Sequence, residues 1–274
     1  MTLRKIYIRF KAFSKHLQKN NIGAYASSMA FFFLLSLVPM LIIACAIMRY
    51  MPVSESTMTE VLVDFLPGFL GNAILNIFSQ AYEQYQAALP IAIIVLLWSA
   101  GKGVWGMMMG LNVANETSET RNIIIVRIVA SFYSLIILIS IIASIGMILI
   151  GEKFANMMRN YSVIVADFLN ILGNLRFLIV WFFLIVLFTL IYAFLPNLKL
   201  KLKYQLPGAI FAATGWTVFS WGFALYVDHF QSFDMYGSLS TLVLIMMWMY
   251  TCMYMLLIGA NLNNFFDSLF KKIF

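Results

Sequence analysis

The side chains able to carry chemistry are few and scattered. His16 and His229 are the two histidines of the chain. In the topology derived below they fall on opposite sides of a membrane, so they can neither share a metal nor serve one another in catalysis. Asp228, His229 and Asp234 do stand close in sequence. No cysteine, serine elbow or second histidine accompanies them, and a solvated loop accounts for the grouping. Phosphate-loop (GxxxxGKS/T), HExxH and CxxC patterns do not occur, so ATP-driven transport or zinc proteolysis would need a partner chain. No catalytic residue, metal site or cofactor is expected, and the chain is not expected to be an enzyme.

What remains are polar groups inside apolar runs. Lys102 lies in WSAGKGVWGMMMGLN, residues 98–112, among four glycines and ten residues before Asn112. Trp248, Tyr250 and Asn261 lie in the last apolar run. A cation within or near hydrocarbon is costly, and either reaches the headgroups with its long stem or faces a cavity that holds an anion. Indole and phenol groups at such depth need hydrogen-bond partners. Lys102, Asn112, Trp248, Tyr250 and Asn261 are therefore the candidate substrate-binding residues. At least one of Trp248 and Tyr250 is expected to face the bundle interior and bond to another helix, with Asn261 adding a second polar contact.

The elements that position these groups follow from composition. The chain of 274 residues is 63% hydrophobic and 11% charged, with mean hydropathy +0.91. Soluble domains average about half apolar and a quarter charged. Uncharged apolar stretches occupy 22–48, 87–101, 128–151, 177–198, 204–227 and 235–266. All but the second are long enough to span, and lipid leaves helices as the economical spanning structure for such runs. The expectation is a single all-α membrane domain over 1–274 with six transmembrane helices. Cys45 and Cys252 both sit in apolar runs and behave as small hydrophobes. The basic start resembles a signal peptide and Ile42-Ile43-Ala44-Cys45 loosely resembles a lipobox, but 27 uncharged residues exceed a signal core and favour an uncleaved first span.

Orientation comes from Lys and Arg. The segment 1–20 carries Arg4, Lys5, Arg9, Lys11, Lys15 and Lys19, whereas 51–86 carries no basic residue and has Glu55, Glu60, Asp64 and Glu83. Lys102, Arg121 and Arg127, then Lys199, Lys201 and Lys203, then Lys271 and Lys272 fall on the same side as the N-terminus, so 14 of the 18 basic residues are inside. Both termini are read as cytoplasmic (N-in, C-in), and the net charge of +7 is mostly topology, which argues against nucleic acid as a partner.

Two peripheral elements are expected. Ile6, Phe10, Phe13 and Leu17 recur at helical spacing among the basic residues, which predicts a cytoplasmic amphipathic helix over 1–20. In the external loop 51–86, Val61, Leu62, Phe65 and Leu66, then Ile74, Leu75, Ile77 and Phe78, predict two short amphipathic helices that form a lid on the bundle or sense the membrane surface.

The second run is short: 87–101 covers about 22 Å of a ~30 Å hydrocarbon core. Its helix must begin earlier or continue past Lys102 through Val104, Met107, Met108 and Leu111. Gly103, Gly106 and Gly110 form one stripe at i, i+3 and i+7, and Gly208, Gly215 and Gly222 recur every seven residues; both read as seams of close helix packing. Pro39 is expected to kink its helix and Pro207 to start one. Gly237 is expected to turn the chain into the last span, with Tyr236 as an interfacial anchor.

Several phrases together resemble the YihY/BrkB family of bacterial inner-membrane proteins. They are Met29-Ala30-Phe31 and Ser36-Leu37-Val38-Pro39, Trp98-Ser99 with Leu111-Asn112, and Tyr192-Ala193-Phe194-Leu195-Pro196-Asn197. Downstream stand Pro207-Gly208-Ala209, Tyr236-Gly237-Ser238-Leu239, Trp248-Met249-Tyr250 and Gly259-Ala260-Asn261-Leu262-Asn263. The resemblance implies a six-helix envelope protein of the cell membrane, linked by name to virulence and serum resistance. The family commonly carries glutamate where this chain has Asn261, so no proton-coupled role is carried over to that position. Some members bear a ribonuclease BN label, which the lack of an acidic and histidine cluster does not support here.

The function expected is transport or flipping of an amphiphile, an anionic lipid or an envelope precursor. The alternative is a non-transporting scaffold for cell-envelope assembly. Membrane lipids are the expected partners, with a second copy of the chain or an envelope-assembly protein as protein partner.

Overall fold

The computed structural model describes residues 11–48 without 12, 68–135 without 123 and 134, 176–229 without 199, and 238–271. A helical segment over 13–19 precedes α1 (Ile22–Met48), α2 (Gly68–Ala114), α3 (Ile124–Tyr133), α4 (Arg176–Phe194), α5 (Leu202–His229) and α6 (Ser238–Lys271). No strand occurs among the described residues. Among the described residues, four helices contain segments long and apolar enough to cross a bilayer: Ile22–Ile43, Ala88–Ala114, Leu202–Val227 and Ser240–Phe265. The chain is an all-helical, multi-pass membrane protein. Of the run expected over 128–151, only the start lies within α3, and the rest falls outside the described residues. The run expected over 177–198 forms α4, about 28 Å long at helical rise.

The short second run is lengthened in both directions. α2 continues past Lys102, with Val104, Met107, Met108 and Leu111 all buried, and it begins as far back as Gly68. Its 47 residues measure about 70 Å, more than twice a hydrocarbon core, so α2 projects well beyond the bilayer. The second of the two short helices expected in 51–86 is therefore no separate element but the first part of α2. No glycine follows Gly71 and no proline precedes Pro90 in that segment, so nothing interrupts the helix before the span. The first of the two lies outside the described residues, as do Tyr236 and Gly237.

The N-terminal helical segment turns its apolar face to protein. Phe13 meets Phe265 edge to face with centroids 5.4 Å apart, and Leu17 packs on the core. Lys15 and Lys19 stay exposed. Asn21, with φ of 47°, takes the left-handed conformation that ends this segment and leads into α1.

The main core is built where α1, α2, α4, α5 and α6 meet, around Met29, Met108, Tyr192, Ala212 and Leu257. The outer surface is also apolar, with Ile94, Phe182 and Trp221 among the most exposed side chains, as a lipid solvent requires. The first glycine stripe packs on α1: a Cβ on Gly103 would lie 3.1 Å from the Phe33 ring, on Gly106 3.3 Å from Met29, and on Gly110 3.2 Å from Tyr25 and 2.9 Å from Leu257. Gly208 and Gly259 mark the α5–α6 crossing, where a Cβ on Gly259 would come 2.5 Å from the Gly208 carbonyl and 2.5 Å from the Tyr192 hydroxyl. Gly215 continues that seam against Met255, but Gly222 has nothing within 4 Å and is exposed. Pro207 does not start α5, which begins five residues earlier at Leu202.

Candidate functional site

Lys102 lies on the wall of a groove of about 560 Å³ between α2 and α3, shared with Trp98, Trp105, Arg127 and Ser131. Trp98, Lys102 and Trp105 are spaced i, i+4 and i+7, which puts them on one side of α2. Gly101 sets the floor, because without a side chain it lets α3 approach until a Cβ there would be 3.1 Å from Ser131 Oγ. The Lys102 ammonium sits 5.7 Å from the centroid of Phe32 and 5.9 Å from that of Trp105, within cation–π range. Phe32 is itself edge to face with Trp98, centroids 5.9 Å apart. Lys102 is half-buried and Arg127 exposed. Among the described residues no carboxylate pairs with either cation.

Asn112 does not reach the groove. It is buried two residues before the end of α2, where its side-chain amide donates to Glu119 Oε2 at 2.8 Å and its Oδ1 accepts from the Asn197 backbone N–H at 2.7 Å. Glu119 in turn accepts two bonds of 2.7 Å from the Arg121 guanidinium and one of 3.0 Å from the Arg121 backbone. The Arg121 side-chain bond holds the Glu119 carboxyl below its ordinary value, and the same pairing raises Arg121. Glu116 at φ 53° closes α2: its N–H reaches Val113 carbonyl at 3.0 Å and the Thr117 N–H reaches Asn112 carbonyl at 2.9 Å. Asn112 thus joins the loop after α2 to the connection after α4.

Asn261 is fully buried. It accepts from the Asn20 amide at 2.8 Å and donates to the Leu257 carbonyl at 2.8 Å. Asn20 also donates to His16 Nε2 at 3.2 Å, and His16 Nδ1 stands 4.0 Å from Glu116. Trp248 faces the bundle as expected: its indole N–H donates to Ser220 Oγ on α5 at 3.0 Å, and its ring lies edge to face with Trp216. Tyr250 stacks on Tyr254, centroids 5.8 Å apart. His16 and His229 lie near opposite ends of the bundle, His229 at the far end of α5 from Gly208 and Asn263; the Asp228 side chain and Asp234 lie outside the described residues.

The five candidate residues therefore do not converge. Lys102 lines the groove, Asn112 holds a loop, Trp248 ties α5 to α6, Tyr250 stacks within α6, and Asn261 anchors the N-terminal segment. Sequence reasoning missed Arg127 and Ser131 as groove residues, since Arg127 was counted only as a topology charge. The spacing of Trp98, Lys102 and Trp105 on one helix face was the available signal. It also missed the ties made by Asn263, which donates to Gln205 Oε1 at 3.0 Å and accepts from the Gly208 N–H at 2.7 Å, and by Asn264, which donates to the Ala114 carbonyl at 3.0 Å.

Comparison with known proteins decides the family. The family model described as "Virulence factor BrkB" matches residues 13–270. The chain belongs to the BrkB family. Among its relatives, "Putative ribonuclease-like protein YfkH" of Bacillus subtilis (strain 168) is 28% identical over 240 residues, covering 87% of each chain. "UPF0761 membrane protein NTHI0384" of Haemophilus influenzae (strain 86-028NP) is 24% identical over 271 residues, covering 95% of this chain and 96% of the relative. "UPF0761 membrane protein Cpha266_1653" of Chlorobium phaeobacteroides is 26% identical over 277 residues, covering 98% of this chain and 60% of that one. No solved structure matches the chain.

This BrkB-family bundle has a second void on the other side of α2. It measures about 240 Å³ and is lined by Phe33, Leu96, Met107, Phe188, Trp216 and Met253 among others, with Ser36 as a polar group on its wall. Leu96, Ala100 and Met107 line it, whereas Trp98, Lys102 and Trp105 face the groove. α2 thus separates an apolar interior from a cationic flank. Among the described residues, no three His, Cys, Asp or Glu side chains come together to hold a metal.

Proposed function

We propose that this BrkB-family protein moves an anionic amphiphile, a lipid or envelope precursor, across the cell membrane, with the headgroup passing along the α2–α3 groove while the tails stay in lipid. The observation that carries this reading is the groove itself, in which Lys102 and Arg127 share one wall with Trp98 and Trp105. Cations at the edge of hydrocarbon that have no carboxylate partner among the described residues are candidate contacts for an anionic ligand. An apolar interior supports a route along the flank rather than through the middle of the bundle.

The proposed topology is one domain of six spans with both termini cytoplasmic. It is supported by hydrogen bonds that gather the N-terminal segment, the loop after α2, the connection after α4 and the end of α6 at one end of the bundle. These are the segments whose Lys and Arg bias reads as inside. The ribonuclease-like name of the B. subtilis relative is not carried over, and the proposed activity is non-enzymatic.

A scaffold in envelope assembly is the second reading. The buried asparagine ties favour it, because a bundle cross-linked by Asn20–Asn261 and Asn112–Asn197 resists the rearrangement that alternating access needs. Reconstitution in vesicles with headgroup-labelled lipids, followed by quenching of the outer leaflet, separates the two. Transport requires movement faster than in empty vesicles; a rate equal to that of empty vesicles across several anionic lipids leaves the scaffold.

A further inference from the structure

The groove has a charge balance that narrows its ligand. Gly101 packs level with Ser131, and Arg127 stands four residues before Ser131 on α3. Lys102 follows Gly101 by one residue on the oppositely directed α2, so Arg127 is displaced from Lys102 by less than one helical turn, about 4.5 Å along the axis. Both side chains are long enough to converge on a group between them, and Arg offers the planar fork that grips phosphate oxygens in pairs.

Neither cation has a carboxylate partner among the described residues. The rings of Phe32 and Trp105 stand near the Lys102 ammonium and carry no charge to cancel it. The wall therefore presents two positive charges. A phosphodiester cancels one of them; a phosphomonoester, which carries about −1.5 to −2 at pH 7, cancels both. The low dielectric of a membrane flank makes the remaining charge in the first case more costly than it would be in water. Ile94 lines the same groove and is among the most exposed side chains, so the ligand's apolar part can remain on the lipid-facing side.

We propose that the α2–α3 groove binds the phosphomonoester headgroup of a membrane amphiphile, with Lys102 and Arg127 sharing the phosphate and the tails lying outside the bundle. The inference rests on the transport reading for its lateral route and names the substrate class of that site.

The test is equilibrium binding to the purified full chain in detergent, read by native mass spectrometry. The probes are dioleoyl phosphatidate, dioleoyl phosphatidylglycerol, dioleoyl phosphatidylcholine and inorganic phosphate. Phosphatidate is expected to bind about tenfold more tightly than phosphatidylglycerol, with Lys102→Gln or Arg127→Gln each removing most of that preference and Lys102→Arg retaining it. Thermal unfolding of each variant near the wild-type midpoint shows that the loss is not misfolding. Millimolar inorganic phosphate that leaves bound phosphatidate in place assigns the site to the lipid; full displacement assigns it to free phosphate and overturns the lipid source. Equal binding of phosphatidate and phosphatidylglycerol, or a preference unchanged in the Lys102→Gln, Arg127→Gln double variant, overturns the proposal. Binding with this preference but no transbilayer movement would instead refute the transport reading alone, and movement without the preference would refute the inference alone.

Discussion

Asn20 and Asn261 lie 241 positions apart in sequence, yet their side chains share a 2.8 Å hydrogen bond in which both residues are buried. Asn261 uses its own amide on the Leu257 carbonyl, and Asn20 uses its second N–H on His16. The pair fastens the N-terminal segment to the last helix. A glutamate at 261 could accept from Asn20 but could not donate to Leu257 while ionised.

Asn261→Leu is expected to leave the buried Asn20 amide short of an acceptor and to destabilise the protein by about 1–3 kcal/mol. Asn20→Leu should cost a similar amount, and the double variant less than the sum of the two. Thermal unfolding in detergent reads all three, and strict additivity would contradict a direct bond.

The two ends of the α5 glycine series should behave oppositely. Gly208→Ala drives a methyl into the Gly259 carbonyl and the Asn263 amide, so the crossing must open, with loss of folded yield or a lower midpoint. Gly222→Ala meets nothing within 4 Å and should be neutral or gain up to about 1 kcal/mol from helix propensity. A midpoint for Gly208→Ala equal to wild type would refute the close crossing.

Trp248→Phe removes the bond to Ser220 and should cost about 1 kcal/mol, whereas Tyr250→Phe should leave stability unchanged, since no hydrogen bond of the Tyr250 hydroxyl is found among the described residues. Ser220→Ala and Trp248→Phe together should cost less than the sum of the two single changes. Equal effects of the Trp248 and Tyr250 substitutions would contradict the assignment.

Glu119 gives the loop after α2 a dependence on pH. Its carboxyl is held below the ordinary 4.5, chiefly by the Arg121 side chain. A carboxyl lowered on folding contributes its stability in full above the unfolded value and loses it as pH falls through the folded value. Stability should therefore fall below about pH 4.5, and Glu119→Gln should lower stability at neutral pH while flattening that acid limb. Parallel pH profiles for wild type and variant would show that the ion pair contributes nothing.

The bundle was legible in the sequence where one physical property dominates. Uncharged length marks spans because charge in hydrocarbon is expensive, and the stripe of Gly103, Gly106 and Gly110 marks a seam because only a neighbouring helix can fill the space beside it. The helix around residues 74–78 was legible, but its continuity with the span was hidden, because the polar residues that follow it suit a solvent-exposed helix as well as a loop. The groove was half hidden: Trp98, Lys102 and Trp105 share a helix face visible in the sequence, but their meeting with Arg127 depends on how α3 packs at Gly101. The Asn20–Asn261 pair could not be read from spacing at all, because tertiary structure alone brings the two ends of the chain together.

The most direct measurement is the rate of transbilayer movement of a headgroup-labelled anionic lipid in vesicles that hold wild-type protein, Lys102→Gln or Gly222→Ala. Passage along the α2–α3 groove predicts acceleration by wild type and Gly222→Ala alike, with about a tenfold or greater loss in Lys102→Gln at equal folded protein. Movement by Lys102→Gln at the wild-type rate would contradict a route through the groove, and no acceleration by wild type would contradict transport itself.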